Sequence, residues 1–344
     1  ELAESWPAAD LVVTSYDLLR RDEALYEGQE FYACILDEAQ AIKNHTTQKY
    51  KAVCKVRSRV RFALTGTPVE NRLGELWSIF SFLMPGYLPP YKSFCSRFEK
   101  PIVQEEDQTA VRRLNQLTGP FILRRMKSDV LKELPPKTEN VYRIELEEEQ
   151  RKLYLAAVVD AREKLQAAKP EDKMAVFAVL MRLREICCDP RLIADNWEGG
   201  SAKLDACVEL VSSAVEGGHR ILLFSQFTSM LELLAKRLDA EGISHFTLQG
   251  STPKPVRAEL VRRFNGGEVS VFLISLRAGG TGLNLTAADI VIHYDPWWNV
   301  AAQNQATDRA YRIGQQNPVQ VYKLIAQDLS LIHISEPTRL ALIS

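Results

Sequence analysis

The stretch VSVFLISLRAGGTGLNLTAADIVIHYDPWWN, residues 269–299, places two short apolar runs on either side of a glycine-rich loop. Runs of this length, bounded by turn residues, are typical of buried strands. Similar runs alternate with helical patterns on both sides of this stretch. The strand-like runs are RILLF (220–224), SHFTL (244–248) and PVQVYKL (318–324), and the helices are predicted near 229–240, 254–264 and 299–311. This alternation predicts an α/β unit with a parallel sheet.

The amino-terminal part shows the same alternation, with strands predicted at DLVVTS (10–15), FYACIL (31–36) and RFAL (61–64). Between the two α/β units the pattern changes to helices near 147–168 and 173–187. The second of these helices is apolar nearly all round, which predicts that it is buried. We therefore expect an α/β unit over 1–120, a linker with a helical insertion over 121–200, a second α/β unit over 201–327, and an anomalous tail over 328–344 to which no function is assigned.

Composition and charge limit the partners and the cellular compartment expected for this chain. The chain has 344 residues, 46% of them hydrophobic, and a net charge of −1, so any nucleic-acid surface must be a local basic patch. Candidate patches are Arg124, Arg125 and Lys127, and Arg262 with Arg263, although each cluster taken alone is more often an ordinary solvated face. The six cysteines show no paired CxxC spacing, which favours reduced thiols. No signal-like or membrane-length segment appears, so we expect a cytoplasmic, nucleoid-associated or nuclear protein that is not secreted.

Two carboxylates follow a strand-like run in FYACILDEAQAIKN, residues 31–44. Asp37 and Glu38 are therefore expected at the carboxyl end of a buried strand, the edge at which open α/β sheets bind ligands. One carboxylate could hold Mg²⁺ while the other orients or deprotonates an attacking water. An Asp-Glu pair that simply begins the next helix is the alternative.

Two arginines stand three residues apart in DPWWNVAAQNQATDRAYRIGQ, residues 295–315. The spacing of Arg309 and Arg312 predicts that both guanidinium groups lie on one face of a helix. Such a pair suits a site where negative charge builds up on a transferring phosphoryl group. A solvated basic face is the alternative interpretation.

These strings resemble, in order, the motifs of the Swi/Snf-type DNA-translocating ATPases within helicase superfamily two. The resemblance covers about residues 10–327. The motifs that carry it are ILDEAQAIKN (35–44), LTGTPVENRLGELWSIFSFLMPGYL (64–88), FILRRMKSDVLKELPPKTE (121–139), ILLFSQFT (221–228), LQGST (248–252), LISLRAGGTGLNLTAADIVIHYDPWWN (273–299) and QATDRAYRIGQ (305–315).

The resemblance implies two RecA-like parallel-sheet lobes, the first incomplete, with a helical insertion between them. It implies a DNA-dependent ATP hydrolase that translocates on double-stranded DNA without reading sequence, in nucleoprotein remodelling, transcription or repair. ATP and Mg²⁺ would bind between the lobes, with Asp37 on Mg²⁺ and Glu38 activating water. The residues implied at the nucleotide on the second lobe are Gly282, Gln305, Arg309 and Arg312.

The same resemblance implies a nucleic-acid track on both lobes. Its residues would be Thr65, Thr67, Gln249, Ser251, Thr252, Arg257, Gly279, Gly280, Trp297 and Trp298. Read alone, the threonine and glycine loops are also typical of structural turns, and the paired tryptophans of simple packing. Val300 stands where the family commonly has a proline. The valine makes the turn less rigid but removes no chemical group.

The phosphate-cradling loop G-x-x-x-x-G-K-[ST] does not occur in the chain, because none of its 17 glycines is followed by lysine. We therefore interpret the chain as a fragment that begins inside the first lobe and is inactive alone, although its parent hydrolyses ATP. A strand-separating helicase and a non-catalytic module that binds DNA or a partner remain alternatives. The sequence identifies neither a protein partner nor the biological role.

Overall fold

The computed structural model of the protein describes residues 9–66, 72–125, 127–131, 133–167, 173–194, 196–276, 278, 282–297 and 299–327. The chain forms two compact units that meet in sequence between Arg124 and Arg125. The anomalous tail, Thr67, Gly279, Gly280 and Trp298 lie outside the described residues.

The first unit contains a parallel pair of strands and several short helices. Its elements are α1 (Tyr16–Arg21), α2 (Glu23–Tyr26), β1 (Glu30–Leu36), α3 (Gln48–Lys55), β2 (Arg57–Ala63), α4 (Leu73–Leu83), α5 (Tyr91–Phe94), α6 (Lys100–Gln104) and α7 (Gln108–Thr118). The strands pair in parallel from Glu30 beside Arg57 to Leu36 beside Ala63. Leu36, Val53 and Phe82 belong to the buried core that joins the strand pair to its helices.

Much of the apolar surface of this strand pair is exposed. Tyr32, Ile35 and Phe62 are each more than half exposed, at 76%, 60% and 53%. The segment DLVVTS, expected as a strand, has no strand structure over 10–15 and leaves Leu11 and Val13 largely exposed. That prediction was wrong because no described strand beside this segment supplies partners for its backbone. In larger α/β sheets such a face is covered by further strands and helices.

The second unit is built on a six-stranded sheet in the order β3-β8-β7-β4-β6-β5, with every pair parallel. Its elements are α8 (Lys127–Val130), β3 (Lys137–Ile144), α9 (Glu148–Ala167), α10 (Lys173–Cys188), α11 (Ala202–Glu216), β4 (Ile221–Ser225), α12 (Thr228–Ala240), β5 (His245–Leu248), α13 (Lys254–Asn265), β6 (Val271–Ser275), β7 (Ile290–His293), α14 (Val300–Thr307) and β8 (Val319–Ala326).

The central strands of this sheet are buried on both faces. Leu223 and Leu273 pack with helices on one face, and Leu222 and Phe272 pack on the other. Strands β4, β6 and β7 are buried at every residue, which explains why they appear in the sequence as continuous apolar runs. The predicted α/β class with parallel sheets is confirmed.

Two features of the predicted linker differ from expectation. Residues 137–144 form the edge strand β3 and pair along their whole length with β8, so part of the expected linker belongs to the second sheet. Helix α10 is not buried all round, because Met174 is 75% exposed and Phe177 is 43% exposed. Helix α10 packs along α9 and against the sheet. The part of its surface that carries Met174 and Phe177 is left uncovered. The domain boundaries themselves stay a prediction.

The edge strand supplies a stability test. Residues 201–327, the expected second lobe, lack the eight paired positions that β3 contributes. A chain of residues 125–327 should unfold in one transition, and a chain of residues 201–327 should be less stable by at least about 1 kcal/mol, because β8 loses its ladder and its cover. Urea unfolding followed by circular dichroism measures the difference. Equal stabilities would show that β3 is not an integral strand.

A buried histidine joins the ends of β7 and α14. His293 is 1% exposed, its Nε2 lies 2.9 Å from Thr307 Oγ1, and its ring stacks on Phe224. Thr307 Oγ1 donates to Gln303 O, so the imidazole Nε2 is best assigned as the donor to Thr307. Burial, assisted by the charge of Lys323, lowers the pKa of His293 to about 3. The ring is therefore neutral in the folded protein.

The depressed pKa of His293 gives a pH dependence with a defined sign. Above the ordinary pKa of 6.5 both folded and unfolded states hold a neutral ring. Below it the unfolded chain binds a proton that the folded chain excludes, so stability falls by about 1.4 kcal/mol per pH unit down towards the folded pKa. Between pH 7 and pH 5, His293→Gln should lose about 2 kcal/mol less stability than the unaltered chain. Urea unfolding of both chains at the two pH values measures this, and parallel losses would contradict it.

Candidate functional site

The acidic pair of the first unit lies immediately after β1, as predicted. Both carboxylates are exposed, and Glu38 has a left-handed backbone with φ of 50°. That conformation is uncommon for a residue other than glycine and is found at functional turns. Asp37 Oδ1 accepts the backbone N–H of Glu38 at 3.0 Å, and the Tyr16 hydroxyl donates to Asp37 O at 2.7 Å. The turn thus holds the two carboxylates at the carboxyl end of a strand.

A glutamine that the sequence analysis did not assign connects this pair to the loop after β2. Gln40 Nε2 donates to Glu38 Oε2 at 2.6 Å, and Thr65 Oγ1 donates to Gln40 Oε1 at 2.7 Å. One amide group therefore binds both the Glu38 carboxylate and the Thr65 hydroxyl. The sequence could have indicated Gln40, because it is the last residue of DEAQ (37–40) and stands two residues after the candidate base Glu38.

The acidic pair fits a magnesium ion that takes few ligands from protein. Within the described ranges, no lysine, arginine or histidine forms a salt bridge with Asp37, and no group of three or more His, Cys, Asp and Glu side chains could enclose a metal. Mg²⁺ in nucleotide sites is commonly held by one or two carboxylates together with phosphates and water. An exposed carboxylate such as that of Asp37 meets this requirement.

The cysteines offer no alternative chemistry. All six are free, and Cys187, Cys188 and Cys207 are buried. Burial raises the pKa of Cys187 and Cys207 to about 12, so these thiols are protonated and unreactive. Across the described residues, no helix combines the length and apolar character that a membrane span requires.

In the second unit, the candidate DNA residues follow the carboxyl ends of neighbouring strands. After β5, Thr252 Oγ1 accepts the N–H of Gln249 at 3.1 Å and closes a turn that leaves Ser251 exposed. Thr252 does not cap α13, because Pro253 occupies the cap position. Arg257 lies in the first turn of that helix. Parallel strands bring this turn to the same sheet edge as the loops that follow β4, β6 and β7.

Gly282, in the segment between β6 and β7, has a φ of 45°, a backbone conformation that favours glycine. Leu276 N, just after β6, donates to Ser225 O at the end of β4 at 2.8 Å. The side chain of Asp295, just after β7, accepts the N–H of Gln226 at 3.1 Å. The three strand ends are therefore fastened to one another.

The arginine pair does not lie on a helix. Helix α14 ends at Thr307, so Arg309 and Arg312 occupy the turns that follow, and the predicted common helix face is wrong. The reason is that nearby backbone groups are paired elsewhere: Arg309 O accepts Leu285 N at 3.0 Å, and Ala310 O accepts the Gln315 amide at 3.1 Å.

The two arginines also differ in accessibility. Arg309 is 6% exposed, whereas Arg312 is exposed and precedes the left-handed Gly314, which has φ of 102°. Gln305 lies half-buried on α14. Only Arg312 of the pair is openly accessible on the second unit.

Lys127 stabilises the arginine-bearing turn. Its ammonium lies 2.6 Å from Asp308 Oδ1 and donates to Tyr311 O at 3.2 Å. The proposed basic patches are thus partly neutralised, since Arg262 and Arg263 also pair with Glu259 and Glu268.

Comparisons with known proteins agree with this arrangement. The model of the SNF2-related domain matches residues 4–192, and the model of the helicase conserved C-terminal domain matches residues 202–314. An uncharacterized ATP-dependent helicase of Mycoplasma pneumoniae is 40% identical over 324 residues, which cover 93% of this chain and 31% of that protein. A putative ATP-dependent helicase/translocase of Bacillus subtilis is 40% identical over 334 residues, covering 94% and 36% respectively.

Among solved structures, the SWI2/SNF2 ATPase core of Sulfolobus solfataricus in complex with dsDNA is similar to this chain. The identity is 35%, the TM-score is 0.50, and the match covers 93% of this chain and 68% of that one. The chain spans about a third of the length of the curated relatives it matches. Because the SNF2-related model covers more than half of the chain, and a helicase C-terminal domain follows it in sequence, the chain belongs to the SNF2 family of helicase-like ATPases.

Proposed function

We propose that this chain supplies catalytic and DNA-tracking parts of an ATP-dependent translocase on double-stranded DNA. The observation that carries the proposal is the acidic pair at the carboxyl end of β1, where Glu38 is fixed by Gln40 and Asp37 is exposed. The family membership supports ATP as the substrate.

Within the ATP site, Glu38 would orient the attacking water and accept its proton. The hydrogen bond from Gln40 at 2.6 Å holds the Glu38 carboxylate in place for this task. Asp37 would hold Mg²⁺, which neutralises phosphate charge when bound. Thr65 is connected to Glu38 through Gln40, so a ligand that moves Thr65 would also move the base.

On the second unit, Arg312 would stabilise the charge that develops on the transferred phosphoryl group. Its exposure supports this role, because a guanidinium must be accessible to meet a phosphate. Arg309 is buried, and Leu285 N–H binds its peptide carbonyl, so it would contribute its charge from within the turn and not from the surface.

The DNA track would run along the carboxyl edge of the second sheet. Ser251, Thr252, Gln249 and Arg257 offer hydroxyl, amide and guanidinium groups that bind sugar-phosphate without reading bases. The similar Sulfolobus core was solved with dsDNA, which supports a duplex as the ligand. Successive closure and opening of a nucleotide cleft would then move the protein along one strand.

Two alternatives can be separated from this function. A strand-separating helicase would release a labelled strand from a duplex in an ATP-dependent displacement assay, whereas a duplex translocase would move without releasing it. A non-catalytic module would bind DNA but show no ATP turnover even behind a complete phosphate-binding loop. The fixed carboxylate of Glu38 favours an enzyme over a module.

ATP hydrolysis tests the proposed nucleotide site. This chain alone should show no DNA-stimulated ATPase activity, because its sequence has no lysine-bearing phosphate loop. In a protein that carries the chain behind such a loop, Arg312→Ala should lower turnover by ~10³–10⁵, the range attributed to arginine fingers, while DNA binding is retained. Glu38→Gln should also abolish turnover while ATP still binds, because Asp37 remains. Phosphate release and nucleotide binding are the measurements.

The control is Arg237→Ala, since Arg237 is an arginine on α12 that pairs with Glu241. This substitution should leave turnover unchanged. Normal turnover in both Arg312→Ala and Glu38→Gln, or activity of the chain alone, would contradict the assigned cleft.

Duplex binding by this chain tests the proposed DNA track. Binding should be weak and independent of sequence, and affinity should fall as salt rises, because phosphate contacts release counterions. Arg257→Gln should reduce the slope of log affinity against log salt by about 0.9, the contribution of one charged contact. Ser251→Ala should weaken binding without changing the slope, because a hydroxyl releases no counterion. Fluorescence anisotropy at several salt concentrations distinguishes them, and sequence discrimination or identical slopes would exclude this track.

A further inference from the structure

An arginine of the helical insertion holds the tryptophan-bearing turn after β7. Arg184, on α10, donates from Nη2 to Pro296 O at 2.8 Å and to Asp295 O at 3.4 Å. Its guanidinium carbon lies 5.1 Å from the centre of the Trp297 ring. One planar group therefore contacts both the backbone of the turn and the face of its aromatic side chain.

The carboxylate of Asp295, in this turn, is buried and forms a hydrogen bond with the loop after β4. Asp295 is 3% exposed and accepts the backbone N–H of Gln226 at 3.1 Å. Burial raises the pKa of Asp295, and the charge of Arg184 and the hydroxyl of Ser225 oppose that rise. The charge of Arg184 thus stabilises the buried Asp295 carboxylate, which lies between the ends of β4 and β7.

The same helix end is tied to β7 by a second contact. The Tyr294 hydroxyl donates to Cys188 O at 2.8 Å, and the buried Lys203 ammonium lies over the Tyr294 ring at 5.1 Å. These contacts fix the base of the turn but do not reach Trp297. Arg184, in contrast, links α10 directly to the tryptophan ring.

Trp297 is not a core residue. It is half-buried, and it belongs to none of the buried apolar clusters formed by the described residues. A large ring that only packed would gain most from apolar neighbours, whereas this ring has a guanidinium on one face and remains partly open to solvent. Its turn follows β7 at the same sheet edge as Ser251. The arrangement suits a ring presented to a ligand.

We propose that Arg184 is a positioning residue that sets the Trp297 turn for contact with the backbone of duplex DNA. The inference rests on the proposed DNA function and deepens it. It makes the helical insertion part of the DNA-binding machinery, because the insertion supplies the group that orients a ring on the sheet edge. Arg184 itself need not touch the duplex.

The test uses the full chain labelled with 5-fluorotryptophan, whose five tryptophans give separate fluorine NMR signals. Trp297→Phe identifies the Trp297 signal. Without DNA, Arg184→Met should shift or broaden that signal and leave those of the distant tryptophans unchanged. Arg184→Lys keeps the charge but loses the planar fork, so its signal should lie between the two. Arg182→Met is the matched control, because Arg182 is an exposed arginine on the same helix, and it should change nothing.

The second measurement is affinity for a generic DNA duplex by anisotropy. Arg184→Met should weaken binding by about tenfold, the effect of losing a partly desolvated cation–π contact with its hydrogen bonds, and Arg184→Lys should weaken it less. Circular dichroism checks that each variant is folded, and Arg184→Lys carries the test if Arg184→Met does not fold.

The outcomes separate this inference from the proposed function. An unmoved Trp297 signal in folded Arg184→Met or Arg184→Lys overturns the positioning role. If Trp297→Ala weakens binding and neither Arg184 variant does, the DNA interface stands and Arg184 is not its positioning residue. If Trp297→Ala also binds the duplex normally, the tryptophan track of the proposed function fails, and the inference fails with it.

Discussion

The parallel direction of every strand in the second sheet is the constraint on which the candidate site depends. It brings the carboxyl ends of β4, β5, β6 and β7 to one edge, and the loops that leave those strands must lie beside one another. Residues far apart in the chain, such as Ser251 and Asp295, then lie at the same end of the sheet without needing direct contact. The same rule in the first unit places Glu38 and Thr65 close enough for Gln40 to join them.

Loops at both ends of the strands in the second sheet are held by side-chain contacts to the backbone. Asp295, Arg184 and Gln315 each use side-chain groups to bind peptide groups in loops. Loops at a functional edge lack the repeating hydrogen bonds of helices and sheets, so their peptide groups require other partners when buried. Side chains that meet this need also define the shape of the loop. Sequence motifs do not identify such residues, because motifs point to groups that could contact a ligand.

The arginine-bearing turn illustrates how local pattern and tertiary context differ. A spacing of three predicts a shared helix face, and α14 does begin as expected after Asn299, whose side chain caps it. The helix stops at Thr307 because Leu285 and Gln315 bind the next carbonyls and draw the chain into turns. Arg309 is buried and Arg312 is exposed as a result, so two arginines that look equivalent in sequence have different environments.

The sequence by itself determined the α/β class, most strands and helices of the second unit, the family, and the place of Asp37 and Glu38 after a strand. These follow from local apolar periodicity and ordered motifs, which require no knowledge of distant contacts. Only the tertiary structure decided that residues 137–144 complete the second sheet, that α10 has an exposed face, and that Arg184 holds the Trp297 turn. Pairing and burial depend on which segments meet in space, and a one-dimensional pattern does not contain that information.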